Sequence, residues 1–170
     1  MSAILSPTAF RPPRRPRTPR PAQRPAPGET HLVVVSTLYR RALFQDDEAA
    51  RAVCRVHTAT WPWRDASLLA WVLMPDEWQG LVTLGERDTL STLMGRFKAI
   101  TSRAVEDRHR VNGWLWGRGF KDRRLRADED PVQVARELVA APLRAGLVQR
   151  IGDYAYWNAA WLLPEDERAV

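Results

Sequence analysis
Glu77 and Gln79 flank Trp78 in the stretch Pro75-Asp-Glu-Trp-Gln-Gly80. On a strand, alternate side chains point to opposite faces, so the carboxyl and the amide stand side by side on one face and the indole on the other. Adjacent oxygen donors can face a hard cation such as Mg²⁺, but two monodentate ligands hold it weakly. A second concentration of chemistry lies between Arg96 and Arg126, where ten basic residues stand against three acidic ones. Lys98, Arg103, Arg118, Lys121, Arg123, Arg124 and Arg126 are its candidate nucleic-acid ligands, with Trp114 and Trp116 interleaved among them. Cations for phosphates and flat rings for bases are what an unpaired strand requires. Alternation also puts both tryptophans on one face of a strand, and core is the reading preferred for them. Arg96, Arg103 and Arg110, seven residues apart, form either a phosphate-facing row or a solvated helix edge.

These groups need a scaffold, and the apolar pattern supplies one. Two apolar runs, Leu68 to Met74 and Leu81 to Leu84, separated by Pro75-Asp76, predict a central hairpin of largely buried strands. The β-branched run from His31 to Leu38 predicts a first strand. Asp46-Asp-Glu48 starts a helix to about Thr60, with Ala50, Val53, Cys54 and His57 at helical spacing and His57 read as a packed residue. Asp88 or Thr89 caps a long helix whose buried stripe is Leu90, Leu93, Met94, Phe97, Ile100 and Ala104. Residues 114–120 predict a short strand running into the basic patch, and Asp130-Pro131 opens a helix from Val132 to Ala141. The aromatic stretch Asp153 to Trp161 reads as a tail packed on the body. The order βαββαβ with a further C-terminal helix predicts an α+β sandwich with a ferredoxin-like, four-stranded antiparallel sheet and helices on one face.

Composition narrows the classes. With 170 residues, 45% of them hydrophobic, the chain can bury one core. A single cysteine excludes an internal disulfide, and three histidines without ligand spacing offer no zinc site. The formal charge of +6 belongs to residues 1–27, which hold six arginines, eight prolines and no acid. Such a segment cannot propagate helix or ladder. It is expected to be a disordered basic arm over residues 1–28, either meeting phosphates or serving as an inert leader, ahead of a domain over 29–163 and a tail over 164–170. No apolar run spans a membrane, and a cytoplasmic location is the expectation.

The frame Trp71-Val-Leu-Met-Pro-Asp-Glu-Trp-Gln-Gly80 resembles the core of the IS200-like single-tyrosine transposases, in particular the REP-associated tyrosine transposases. Thr37-Leu-Tyr-Arg-Arg-Ala-Leu-Phe44 is similar to that family's Thr-x-x-Arg-x-x-Leu-Phe phrase. Trp116-Gly-Arg-Gly-Phe-Lys-Asp-Arg-Arg-Leu-Arg126 is similar to its Trp-x-Arg-Gly-Phe-x-Asp-x-x-Leu-Arg. The stretch Pro142 to Val148 matches its closing Pro-x-x-x-Gly-Leu-Val.

The resemblance implies that the positions of Glu77 and Gln79 carry metal-binding histidines in the family. It also implies a nucleophilic tyrosine at Glu137, five residues before Pro142, and a supporting amide at Ala141. Strand cleavage through a tyrosine needs a phenolate and a divalent cation, Mg²⁺ or Mn²⁺ in the family, on the scissile phosphate. Neither part stands at the matching positions, so no intact catalytic set, no metal and no cofactor are expected. The leading expectation is a protein that binds single-stranded or hairpin DNA without cutting it, and a homodimer on the pattern of many relatives. The alternatives are an active metal-dependent transposase or nuclease with rearranged residues, in which Tyr154 or Tyr156 serves as nucleophile, and a structural or protein-binding domain.

Overall fold
A computed structural model describes residues 28–106 and 114–162. Most of the expected arm, the tail from residue 164, and Arg110 lie outside the described residues. The elements run β1 (Thr30–Ser36), α1 (Asp47–His57), β2 (Ala66–Met74), β3 (Glu77–Leu84), α2 (Leu90–Glu106), β4 (Lys121–Arg124), α3 (Pro131–Val139), α4 (Ala141–Arg144) and β5 (Trp157–Ala159). They form an antiparallel sheet in the order β4-β1-β3-β2-β5. The first four strands have the ferredoxin-like order. The fifth comes from the aromatic stretch near the C-terminus, which pairs Ala159 with Ala70 and Trp157 with Val72.

The two sheet faces carry different layers. Val33 and Val35 of β1, Trp71 and Leu73 of β2, and Trp78, Val82 and Leu84 of β3 pack against α1 and α2. Ala70, Val72 and Met74 of β2 and Leu81 of β3 pack against Val134, Ala135 and Leu138 of α3 and Ala141 of α4. The paired helices of the ferredoxin-like unit therefore share one face, and the C-terminal helix covers the other. Both caps follow the sequence: the Asp46 carboxylate accepts from Ala49 N at 2.8 Å and that of Asp130 from Val132 N at 3.0 Å. Helix α1 ends at His57, three residues earlier than expected, before the turn made by Trp61-Pro62-Trp63.

The α1/α2 core is built around Trp78, which is fully buried. Burying a side chain of that size removes roughly 200 Å² from water, an upper-bound gain of about 5 kcal/mol. Its Nε1–H donates to His57 Nε2 at 2.8 Å, so His57 carries its proton on Nδ1. The His57 ring stacks on Trp71 with centroids 4.0 Å apart. Burial pushes the His57 pKa down to about 3, consistent with a neutral packed residue. Gly80 serves the same cluster, because the Trp78 indole lies across its α-carbon and a Cβ there would come within 2.1 Å of Cη2.

Three sequence expectations change. Trp114 is not core: it is 77% exposed, while Leu115 and Trp116 beside it are buried. Residues 114–120 make only an isolated bridge, Thr37 to Trp116, so the two-residue alternation assumed for a strand does not apply. Arg96 is not part of a phosphate-facing row. It is partly buried, with its side chain largely covered and ion-paired to Asp88, and its Nε donates to Pro62 O at 3.1 Å.

Candidate functional site
Glu77 and Gln79 project from the start of β3 on the face covered by α3, opposite Trp78, as strand alternation requires. Register puts Ser36 of β1 opposite Glu77 and Val34 opposite Gln79. The Gln79 Nε2 amide donates to Glu77 Oε1 at 2.7 Å. The other oxygen, Oε2, accepts from Arg40 Nη1 at 2.9 Å. Arg40 Nη2 also lies 2.8 Å from Asp76 Oδ2.

The backbone after β1 brings Arg40 there. Thr37 N donates to Asp76 O at 2.9 Å, and Thr37 Oγ1 donates to Asp76 O at 3.0 Å and Arg41 O at 2.7 Å, which ties the end of β1 to the β2–β3 turn. Tyr39 and Arg40 then adopt left-handed backbone, with φ of 58° and 52°. For non-glycine residues that geometry costs roughly 1–2 kcal/mol each, and such strain concentrates at built sites. It turns Arg40 back over the hairpin and leaves Tyr39 87% exposed. The Glu77 hydrogen bond, followed by its charge, holds the Arg40 guanidinium even more firmly protonated than usual.

These residues do not fit a divalent metal. Both Glu77 oxygens already accept hydrogen bonds, Gln79 offers its amide nitrogen toward Glu77, and a fixed positive charge stands between the two carboxylates. Ala141, the position of the supporting amide in the resemblance, is buried in the apolar cluster with Met74 and Leu81 and has no donor atom. Glu137, at the nucleophile position, is exposed on α3 with Gln133 Nε2 3.4 Å from its Oε1. A carboxylate there would repel a phosphate. The two C-terminal tyrosines are occupied elsewhere. Tyr154 Oη donates to Leu73 O at 2.6 Å, with burial pushing its pKa up to about 12, and Tyr156 Oη bonds the Asp47 carboxylate.

The predicted cations separate into two groups. Lys98, Arg103 and Arg118 line one open groove of about 1130 Å³ between α2 and residues 114–118. There Lys98 Nζ donates to Gly117 O at 2.8 Å and Gly119 O at 2.6 Å, and desolvation lowers its pKa. Arg103, Arg118 and Lys121 are exposed and have no carboxylate partner among the described residues. Arg123, Arg124 and Arg126 do have such partners. Arg123 Nη1 lies 2.7 Å from Glu129, Arg124 Nη1 lies 2.6 Å from Glu29, and Arg126 Nε lies 3.2 Å from Asp128. Sequence reasoning missed Arg40, Asp76 and Tyr39. The phrase around Thr37 pointed to that corner, but no local signal pairs Arg40 with a carboxylate 37 residues on.

The family model described as "Transposase IS200 like" matches residues 28–134. That span includes Glu77 and Gln79 and stops before Glu137 and Ala141. Among solved structures, a REP-associated tyrosine transposase bound to a REP hairpin is similar, with TM-score 0.61 and 20% identity, covering 78% of this chain and 77% of that one. At that identity the likeness is one of fold. A candidate transposase from Deinococcus radiodurans R1 aligns with 79% of this chain and 96% of its own, at 15% identity and TM-score 0.49, too distant to carry an argument. No curated protein matches the chain.

Proposed function
The chain belongs to the IS200-like transposase family, and on that premise we propose that it binds hairpin or single-stranded DNA and does not cleave it through a tyrosine. The observation that carries this reading is the Glu77–Gln79 pair, a carboxylate and an amide hydrogen-bonded to each other, with Arg40 on the carboxylate, where the resemblance places metal-binding histidines. A guanidinium there supplies the positive charge that balances the carboxylates, and it offers no open coordination position to a phosphate oxygen. With Glu137 in place of a phenol, the nucleophile is missing as well. Because metal, phosphate and nucleophile act as a unit, these losses compound.

DNA binding is supported by the family, by the hairpin held by the structural neighbour, and by the exposed cations Arg103, Arg118 and Lys121, which have no carboxylate partner among the described residues. The test uses a labelled DNA hairpin and the whole chain. Expected are retardation of the hairpin at low salt and no protein–DNA adduct on a denaturing gel with Mg²⁺ or Mn²⁺. A covalent adduct would overturn the loss of cleavage, and unretarded DNA would overturn the binding.

A further inference from the structure
We propose that the groove between α2 and residues 114–118 is a subsite for an unpaired nucleotide, whose base stacks on Trp114 and whose phosphate meets Arg103 and Arg118. This rests on the DNA-binding reading above and adds a location and a ligand class to it.

Trp114 is held in solvent by a fixed backbone. Its carbonyl accepts from Arg41 Nη2 at 3.1 Å, and Leu38 N donates to Leu115 O at 3.0 Å. Gly117 N donates to Ser36 O at 2.9 Å, and the Trp116 Nε1–H donates to Thr101 Oγ1 at 2.8 Å inside the core. The residues that follow it are thus anchored while the Trp114 side chain stays 77% exposed. A rigid exposed indole is a stacking platform, and stacking tolerates any base because every base has a flat face.

The rest of the groove suits a nucleotide. Gly95, Ala99 and Ser102 of α2 keep its floor low, and a Cβ on Gly95 would meet nothing within 4 Å. Among the described residues its charged lining is Lys98, Arg103 and Arg118 against the one acid Glu106, a balance that favours an anion. Tyr39 stands at the same corner, since the Thr37–Trp116 bridge and the Leu38–Leu115 hydrogen bond bring its backbone alongside Trp114. Its exposed ring is a second flat face for the next base.

Single-stranded oligothymidine and an abasic strand of equal length separate base stacking from phosphate attraction, because both carry the same backbone charge. The full-length parent is expected to bind oligothymidine about 5- to 150-fold more tightly than the abasic strand. Trp114→Ala is expected to remove most of that ratio and Trp114→Phe to keep part of it. Because Trp114 is exposed, the alanine variant should keep the parent's melting temperature. Arg103→Glu with Arg118→Glu should weaken both strands alike. A base-dependent ratio that survives Trp114→Ala, or an absent ratio in a parent that still binds the blunt hairpin, overturns the subsite alone. A parent that binds neither strand nor hairpin overturns the DNA-binding reading and the subsite together.

Discussion

Arg40 Nη1 and Glu77 Oε2 meet at 2.9 Å, and the same guanidinium reaches Asp76, so one cation serves two carboxylates at the turn into β3. Removing it should expose the carboxylates to other cations. Arg40→Ala is expected to gain a rise in melting temperature of a few degrees in millimolar Mn²⁺, the linkage effect of a ligand that binds only the folded chain. In metal-free buffer the variant should lose about 1 kcal/mol or less, since the pairs are partly solvated. Thermal melts with and without Mn²⁺ check both, and an equal Mn²⁺ response in the parent would contradict the blocking role given to Arg40.

Restoring the family's residues should recover metal binding. Arg40 stands at the arginine of the family's Thr-x-x-Arg phrase and is kept, while Glu77→His, Gln79→His, Glu137→Tyr and Ala141→Asn together remove its Glu77 partner and are expected to give the Mn²⁺-dependent adduct that the parent lacks. Ala141→Asn alone should cost about 1–3 kcal/mol, because it puts an amide without a partner into the apolar cluster with Met74 and Leu81. Urea titration gives the cost, and a denaturing gel after incubation with a hairpin and Mn²⁺ reads the adduct.

Gly80→Ala should destabilise the hairpin core by about 1–3 kcal/mol or more, as overpacking does. The added methyl meets the ring of Trp78, which is itself fully buried and cannot swing away. Double substitution with Trp78→Leu should recover part of the loss due to Gly80→Ala. Strict additivity of the two changes would argue that they do not touch.

Arg96→Met should cost about 1–3 kcal/mol, since it leaves the partly buried Asp88 carboxylate without its partner. Its effect on DNA affinity at a temperature where the variant is folded should be small. A stable Arg96→Met protein with weakened DNA binding would return Arg96 to the phosphate-facing role expected from its spacing.

His57 makes stability depend on pH. Its folded pKa is about 3 against 6.5 for an unfolded histidine, so the unfolded chain takes the extra proton between these values. The contribution is fully present above pH 6.5 and is lost as the pH falls, at up to about 1.4 kcal/mol per unit. Chemical denaturation at pH 7.5 and 5.5 should therefore show a larger loss for the parent than for His57→Gln, and equal losses would exclude His57 as the source.

What could be read from the sequence followed period and capping. The β2–β3 hairpin, the opposition of Trp78 to Glu77 and Gln79, and the start of α1 all depend on residues a few places apart. The partners of the charged groups do not. Arg124 meets Glu29 across 95 residues, and Arg40 meets Glu77 only because two consecutive residues take positive φ. No propensity favours that geometry at Tyr39 and Arg40, and the strain is held by Thr37 bonding Asp76 in the β2–β3 turn. Trp114 was misread for a related reason, since two-residue alternation holds only where a ladder exists.

Strand β4 has one more consequence. It is an edge of the sheet, all four of its residues are exposed, and three of them are Lys121, Arg123 and Arg124. An open edge invites a neighbouring molecule to add its own strand, but antiparallel self-pairing here would bring cations against cations. The opposite edge, β5, is three residues long and offers little ladder to extend. Among the described residues neither edge therefore offers a second copy a favourable ladder, and the sheet is self-limiting as a ribbon.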